Sequence, residues 1–159
     1  MIVVADTSPL NYLILIEAVD VLSPLYQRVV VPRAVEQELM TSTAPGLVRS
    51  WMSQSPSWLE VRPDPAYDPT LDFLDPGESS ALTLAQLINA DRLLIDDLAG
   101  RVEAERRRVA VTGTVGVIAD AHLAGLLDFD RSLARLRATS FRLHADVERA
   151  IRRRIFPHE

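Results

Sequence analysis

The chain contains no cysteine and no lysine. Without thiols there is no disulfide scaffold, no thiolate zinc site and no cysteine nucleophile. The lack of cysteine is consistent with a reducing compartment, and the expected location is the cytoplasm. Without lysine there is neither a P-loop lysine nor a Schiff base, and all 17 basic residues are arginine. A long apolar run is missing at the start, because Ile2 to Ala5 is broken by Asp6 and is far too short for a secretory leader or a membrane span. No membrane partner is therefore expected. Positive charge is scarce as well. With 22 acids against 17 bases the net charge is −5, which is not the footprint of a protein that grips nucleic acid through bulk positive charge.

What is present is a chain of 159 residues that is 48% hydrophobic, enough to fill the core of one domain spanning 1–159. Ile2-Val3-Val4-Ala5 reads as a strand buried on both faces of a parallel sheet, and it ends on Asp6. Ser8 and Pro9 open a helix running to about Glu17, with Ser8 as a cap and Pro9 in the first turn. A second short helix is expected over Ala18–Tyr26. Arg28 to Val31 is a strand closed by Pro32, which also starts a helix carrying Val35 and Leu39 inward and Glu38 at the border of that face. Helix over Leu47–Ser53 and a short edge strand at Leu59–Val61 follow. The Pro- and Asp-rich stretch 63–76 reads as an irregular surface connection, an insertion or mobile flap.

Asp75-Pro76-Gly77-Glu78 opens the clearest helix, to about Asn89. Leu93-Leu94-Ile95 is a strand ending on Asp96-Asp97. A charged helix to Arg108, a strand at Val109–Thr112 and a helix from about Val115 to Ala124 come next. The C-terminal part, 130–159, is helical and Arg-rich. Strands alternating with helices predict an α/β fold, a three-layer α/β/α sandwich around a central parallel sheet.

In such folds ligands bind beyond the C-terminal ends of the strands. Asp6, Glu38, Glu78 and the Asp96-Asp97 pair all fall at or facing that edge. Like charges about 4 Å apart cost roughly 4 kcal/mol at an effective dielectric near 20, so such a cluster needs protons or a cation. Hard oxygen donors without His or Cys suit Mg²⁺ or Mn²⁺, ions used to cleave phosphodiesters. Each acid also has a plainer reading. Glu78 stands three residues after Asp75, the spacing of a capping box. Glu38 can be a solvated helix residue, and Asp97 a helix cap. Asp6 has the weakest plain reading, because a carboxylate ending a buried strand is costly without a partner.

The ordered set VVADTSPLNYL, VPRAVEQEL, DPGESSALTLA, LLIDD and VTGTVGVI resembles PIN-domain proteins, in particular VapC-type toxin ribonucleases, over nearly the whole chain. The resemblance implies a Rossmann-type parallel sheet, an acidic Mg²⁺/Mn²⁺ pocket and hydrolysis of RNA that leaves a 5′-phosphate. It places the four acids at Asp6, Glu38, Glu78 and Asp97, with Ser8 and Asn11 in support and Thr114 beside the metal site. It also implies a small antitoxin partner docking near the pocket and a homodimer. Two features depart from the family pattern. The third acid is Glu78 where many members have Asp, and Ile95-Asp96-Asp97 stands where Thr-x-Asp is usual. Strand alternation would send Asp96 and Asp97 to opposite sides, and the motif register favours Asp97 as the ligand.

RNA contacts are expected from Arg106, Arg107 and Arg108 or from Arg149, Arg152, Arg153 and Arg154, although both runs also read as solvated helix faces. His122, His144 and His158 lie outside the acidic motifs and read as structural or exposed. A rival reading is a catalytically idle PIN-like scaffold. A receiver-like phosphoacceptor is disfavoured because it needs a lysine, and a small-molecule phosphatase remains a third option.

Overall fold

The computed structural model describes residues 1–159. Five strands form one parallel sheet: β1 (Ile2–Ala5), β2 (Arg28–Pro32), β3 (Leu59–Arg62), β4 (Arg92–Leu94) and β5 (Val111–Thr112). Their spatial order is β3-β2-β1-β4-β5. The chain builds outward from β1 through β2 to β3, then returns to lay β4 and β5 on the other side of β1. The reversal falls between β1 and β4, where crossover connections leave a crevice at the strand C-termini. Register places Val4 beside Val30 on one side and beside Leu93 on the other. Val3, Val4, Val29, Val30, Val31, Leu93 and Leu94 have no exposed surface, as a centre covered on both faces requires.

Nine α-helices supply the cover: α1 (Thr7–Leu15), α2 (Leu22–Tyr26), α3 (Arg33–Met40), α4 (Gly46–Ser53), α5 (Pro76–Leu87), α6 (Leu98–Arg106), α7 (Thr114–Leu123), α8 (Phe129–Arg137) and α9 (Ala145–Ile155). The architecture is the expected three-layer α/β sandwich. No single helix is long and apolar enough to cross a membrane.

Local differences have physical reasons. The segment expected to be helical from Ala18 begins as a 3₁₀ turn over Val19–Val21 before α2. Strand β5 keeps only Val111 and Thr112, because Arg108 sits at φ 62 and Val109 is still hydrogen-bonded back to Ala104, ending α6. Helix α1 starts at Thr7, with Asp6 in the capping position but making no side-chain cap. Ser8 is therefore not the cap. Its hydroxyl donates to Asp96 Oδ2 at 2.7 Å instead. The stretch 63–76 is irregular but pinned. Leu71 and Leu74 are buried, a 3₁₀ turn spans Pro69–Leu71, and Arg107 Nη1 donates to Asp68 Oδ2 at 3.1 Å.

Leu94 is the last residue of β4 and lies directly beneath the crevice. Leu94→Ala is expected to cost about 2–5 kcal/mol through lost burial and a residual cavity. Urea denaturation should show a lower midpoint with an unchanged slope.

Candidate active site

The site is assembled from three chain segments that the reversal point brings together. Strand β1 delivers Asp6. The first turn of α5 delivers Glu78. The chain leaving β4 delivers Asp96 and Asp97. All four line one cavity of about 1070 Å³, with Ser8 and Gly113 also in its wall. Asp96 and Asp97 do not diverge as strand alternation suggested. Strand β4 ends at Leu94, so the pleat no longer governs either side chain, and both reach the same cavity.

Asp6 is 4% exposed, and its Oδ1 has no hydrogen-bond partner. Burial pushes its carboxyl well above the usual range, the Thr7 backbone N–H works against this, and the charges of Asp75, Glu78 and Glu38 push it up further. Glu78 is pushed up to about 7, first by burial and then by the charges of Asp75 and Asp97. It also does what its spacing suggested. Its backbone N–H donates to Asp75 Oδ1 at 2.8 Å, and its Oε2 accepts from the Asp75 backbone at 3.2 Å, a complete capping box.

Glu38 lies outside the cavity wall, one layer behind it. Its carboxylate accepts from the Thr7 hydroxyl and from the Gly77 backbone N–H. Burial raises its pKa, and the Thr7 hydrogen bond counters the shift. The fit at Gly77 is tight: a β-carbon there would stand 2.5 Å from Glu38 Oε1.

Asp96 is the fastened member of the pair. Its Oδ1 accepts from the Thr114 backbone N–H at 2.7 Å, and its Oδ2 accepts from the Ser8 hydroxyl at 2.7 Å and the Thr114 hydroxyl at 2.6 Å. It thus caps α7 and ties the ends of β1, β4 and β5 together. Asp97 is exposed and caps α6 through the Gly100 backbone N–H at 2.9 Å. Asn11 is half-buried on α1, makes no side-chain hydrogen bond and lies off the cavity wall.

The arginine runs expected to meet RNA are largely committed elsewhere. Arg106 and Arg107 pair with Glu103, and Arg107 also pairs with Asp68. Arg152 pairs with Asp130, Glu148 and Glu159, and it lies over the rings of Phe129 and Phe156. Arg149 pairs with Asp146 and Arg154 with Asp120. Arg108 and Arg153 are exposed and unpaired. His122 accepts from the Phe129 backbone N–H and packs against Phe129 and Phe156, a structural role. Thr7, Gly77 and Arg101 are neighbours of the site that motif spacing did not reveal. Thr7 and Gly77 adjoin acids of the set, and Arg101 follows Asp97 by one helical turn.

No group of three His, Asp or Glu side chains is close enough to cage a metal ion unaided. The donor set is nevertheless all carboxylate, and Asp6 presents a buried oxygen with nothing to bind. Mg²⁺ takes one or two carboxylates and keeps several waters. The residues fit a hydrated divalent ion of that kind and not one enclosed by protein alone.

The fold and site define an α/β protein with a parallel sheet whose acids line a cavity at the topological switch point. A model of the DUF3368 PIN-domain family matches residues 2–156, and the chain belongs to the PIN-domain family. Among solved structures it is similar to the PilT N-terminus domain protein SSO1118 from the archaeon Sulfolobus solfataricus P2. The two share 16% identity with a TM-score of 0.52, over 91% of this chain and 100% of the other, a likeness of fold. No protein with a curated description matches the chain.

Two stability predictions follow from the charges. Glu78 titrates higher in the folded chain, at about 7, than its ordinary 4.5, so the folded state holds that proton more tightly. The stability it contributes is present below the ordinary value and is lost as pH rises through about 7. Melting in EDTA should show a decline across that window. Glu78→Gln, which keeps the capping box, should make the decline shallower, with Asp6 and Glu38, also raised by burial, carrying what remains. Asp6→Asn removes a buried carboxyl whose ionised form is penalised, and its stability in EDTA should exceed the parent's increasingly as pH rises, by about 1–3 kcal/mol, or roughly 2–12 °C in Tm, at the alkaline end.

Proposed function

We propose that this PIN-domain protein is a metal-dependent endoribonuclease that hydrolyses RNA phosphodiesters with Mg²⁺ or Mn²⁺, and that it serves as the toxin of a toxin–antitoxin pair. The observation that supports the nuclease reading is Asp6: a buried carboxylate oxygen without a partner, at the strand edge where Glu78, Asp96 and Asp97 line the same cavity. Holding that charge unpaired costs the fold stability, and a cation would offset the cost. PIN domains are generally nucleases that use divalent metal ions, and the chemistry of these side chains agrees with that use.

In this reading Asp6 and Glu78 hold the ion, and Asp97 joins them directly or through water. Glu38 acts from behind, fixing the Gly77-Glu78 turn through the Gly77 N–H and adding negative potential at Asp6. Asp96 has both oxygens occupied and works as the strut that ties Ser8, in the cavity wall, to the buried Thr114 behind it. A bound divalent ion supplies an acidified water and charge stabilisation at phosphorus oxygens. The protein's own part is to orient the acids and to keep the pocket rim fixed. The toxin assignment, with its small antitoxin and a homodimer, draws on the resemblance to VapC-type ribonucleases. A short gene for a DNA-binding antitoxin immediately upstream would support it.

The absence of three converging carboxylates favours one other reading, an idle PIN-like scaffold. Calorimetric titration with Mn²⁺ separates the two, since a scaffold has no strong divalent-ion site. In an RNase assay with Mn²⁺, Asp6→Asn and Asp97→Asn should each cut about 10²–10⁴-fold more slowly than the parent, the range of a lost proton-transfer or charge-stabilising group. Parental rates in both variants would refute the metal mechanism.

A further inference from the structure

We infer that Arg101 is the residue that contacts the substrate phosphate, an inference resting on the nuclease reading above. It lines the same cavity as Asp6, Glu78, Asp96 and Asp97. Its guanidinium closes on the strand-end turn: a β-carbon on Gly113 would lie 3.1 Å from Arg101 Nη1 and 2.9 Å from Asp96 Oδ1. Its backbone N–H donates to the Asp97 carbonyl at 2.9 Å, but its side chain makes no hydrogen bond and no salt bridge. Seven arginines of the chain are in that condition, and the other six (Arg33, Arg49, Arg108, Arg131, Arg142 and Arg153) are exposed to solvent. Arg101 alone is half-buried, and its guanidinium reaches no direct partner among the acids that share its cavity.

Its place in the secondary structure adds to the cost. Arg101 is the fourth residue of α6, in the first turn, where the helix dipole disfavours a cation. The carboxylate one turn earlier, Asp97, is spent on capping the Gly100 N–H. A half-buried cation set against the dipole, with acids near it but none directly paired to it, keeps its donors free for an anion that arrives from outside. A phosphodiester has the charge and the paired oxygens that a guanidinium fork engages. The placement also bears on how a chain of net charge −5 can seat RNA at an acidic site: Arg101 stands in the wall beside the acids, and Arg142 and Arg154 line the same cavity.

The test compares wild type, Arg101→Met and Arg101→Lys. In Mn²⁺, kcat/KM on a fluorogenic single-stranded RNA should fall about 10- to 100-fold in Arg101→Met, as for a lost charge-assisted hydrogen bond, and Lys should restore part of it. In EDTA, anisotropy of a labelled single-stranded RNA should show a slope of log affinity against log salt that is shallower by about 0.7 in Arg101→Met. Mn²⁺ affinity by calorimetry should be unchanged or tighter in that variant, and Tm should be equal or higher. Wild-type kcat/KM and salt slope in Arg101→Met would overturn the assignment while leaving the nuclease reading intact. A fall in Mn²⁺ affinity or Tm that matches the lost activity would overturn it too, by making Arg101 a prop for the fold or the acids. A wild-type chain that binds no Mn²⁺ and cuts no RNA would sink the nuclease reading itself and Arg101 with it.

Discussion

Everything in this molecule is arranged about a charge that the fold buries and does not satisfy. Asp6 ends the central strand, 4% exposed, with one oxygen lacking any partner. An isolated buried carboxylate is among the costlier things a small domain can contain. The sheet can bear it because its centre is fully covered, with β1 flanked by β2 and β4 and helices on both faces. The strands act as a rigid base, and the acids stand at their C-terminal ends where crossovers leave an opening.

Around that charge, three arrangements prevent relaxation. Asp96 gathers Ser8 and Thr114 and so locks the ends of three strands. Glu38 spans from α3 to Thr7 and Gly77, fixing the distance between β1 and the start of α5. The Asp75–Glu78 box sets where α5 begins. Each uses a carboxylate as a hydrogen-bond acceptor, so negative charge is retained near Asp6 instead of being cancelled by arginine. None of the ion-paired arginines takes Asp6, Glu38, Glu78, Asp96 or Asp97 as its partner.

Most of the fold was legible in the sequence, because buried parallel strands are short β-branched runs and Pro or Gly marks the turns between them. The ends of elements were less so. Strand β5 shortened and α1 began earlier because caps and tertiary hydrogen bonds, not periodicity, decide termini. The acids were legible as types and positions, yet their division of labour was not. Nothing in Ile95-Asp96-Asp97 says that Asp96 is fastened on both oxygens while Asp97 is open to solvent. Nor does a spacing rule place Glu38 behind the cavity wall, since that depends on Gly77 admitting its carboxylate. Arg101 escaped notice because a lone arginine among 17 carries no local signature until its lack of a partner is visible. The arginine runs drew attention by their density, and their ion pairs give most of them ordinary structural roles.

The reciprocal cap at Asp75 and Glu78 carries a consequence of its own. One and the same carboxylate nucleates a helix and faces the crevice. A guest that draws the Glu78 carboxylate away from α5 loosens its grip on the Asp75 amide, which only Oε2 holds. Occupancy and the fraying of α5's opening turn are therefore mechanically linked, like two ends of one lever. A longer glutamate at this position supplies the slack that lets a single side chain serve both ends, which a shorter aspartate would lack.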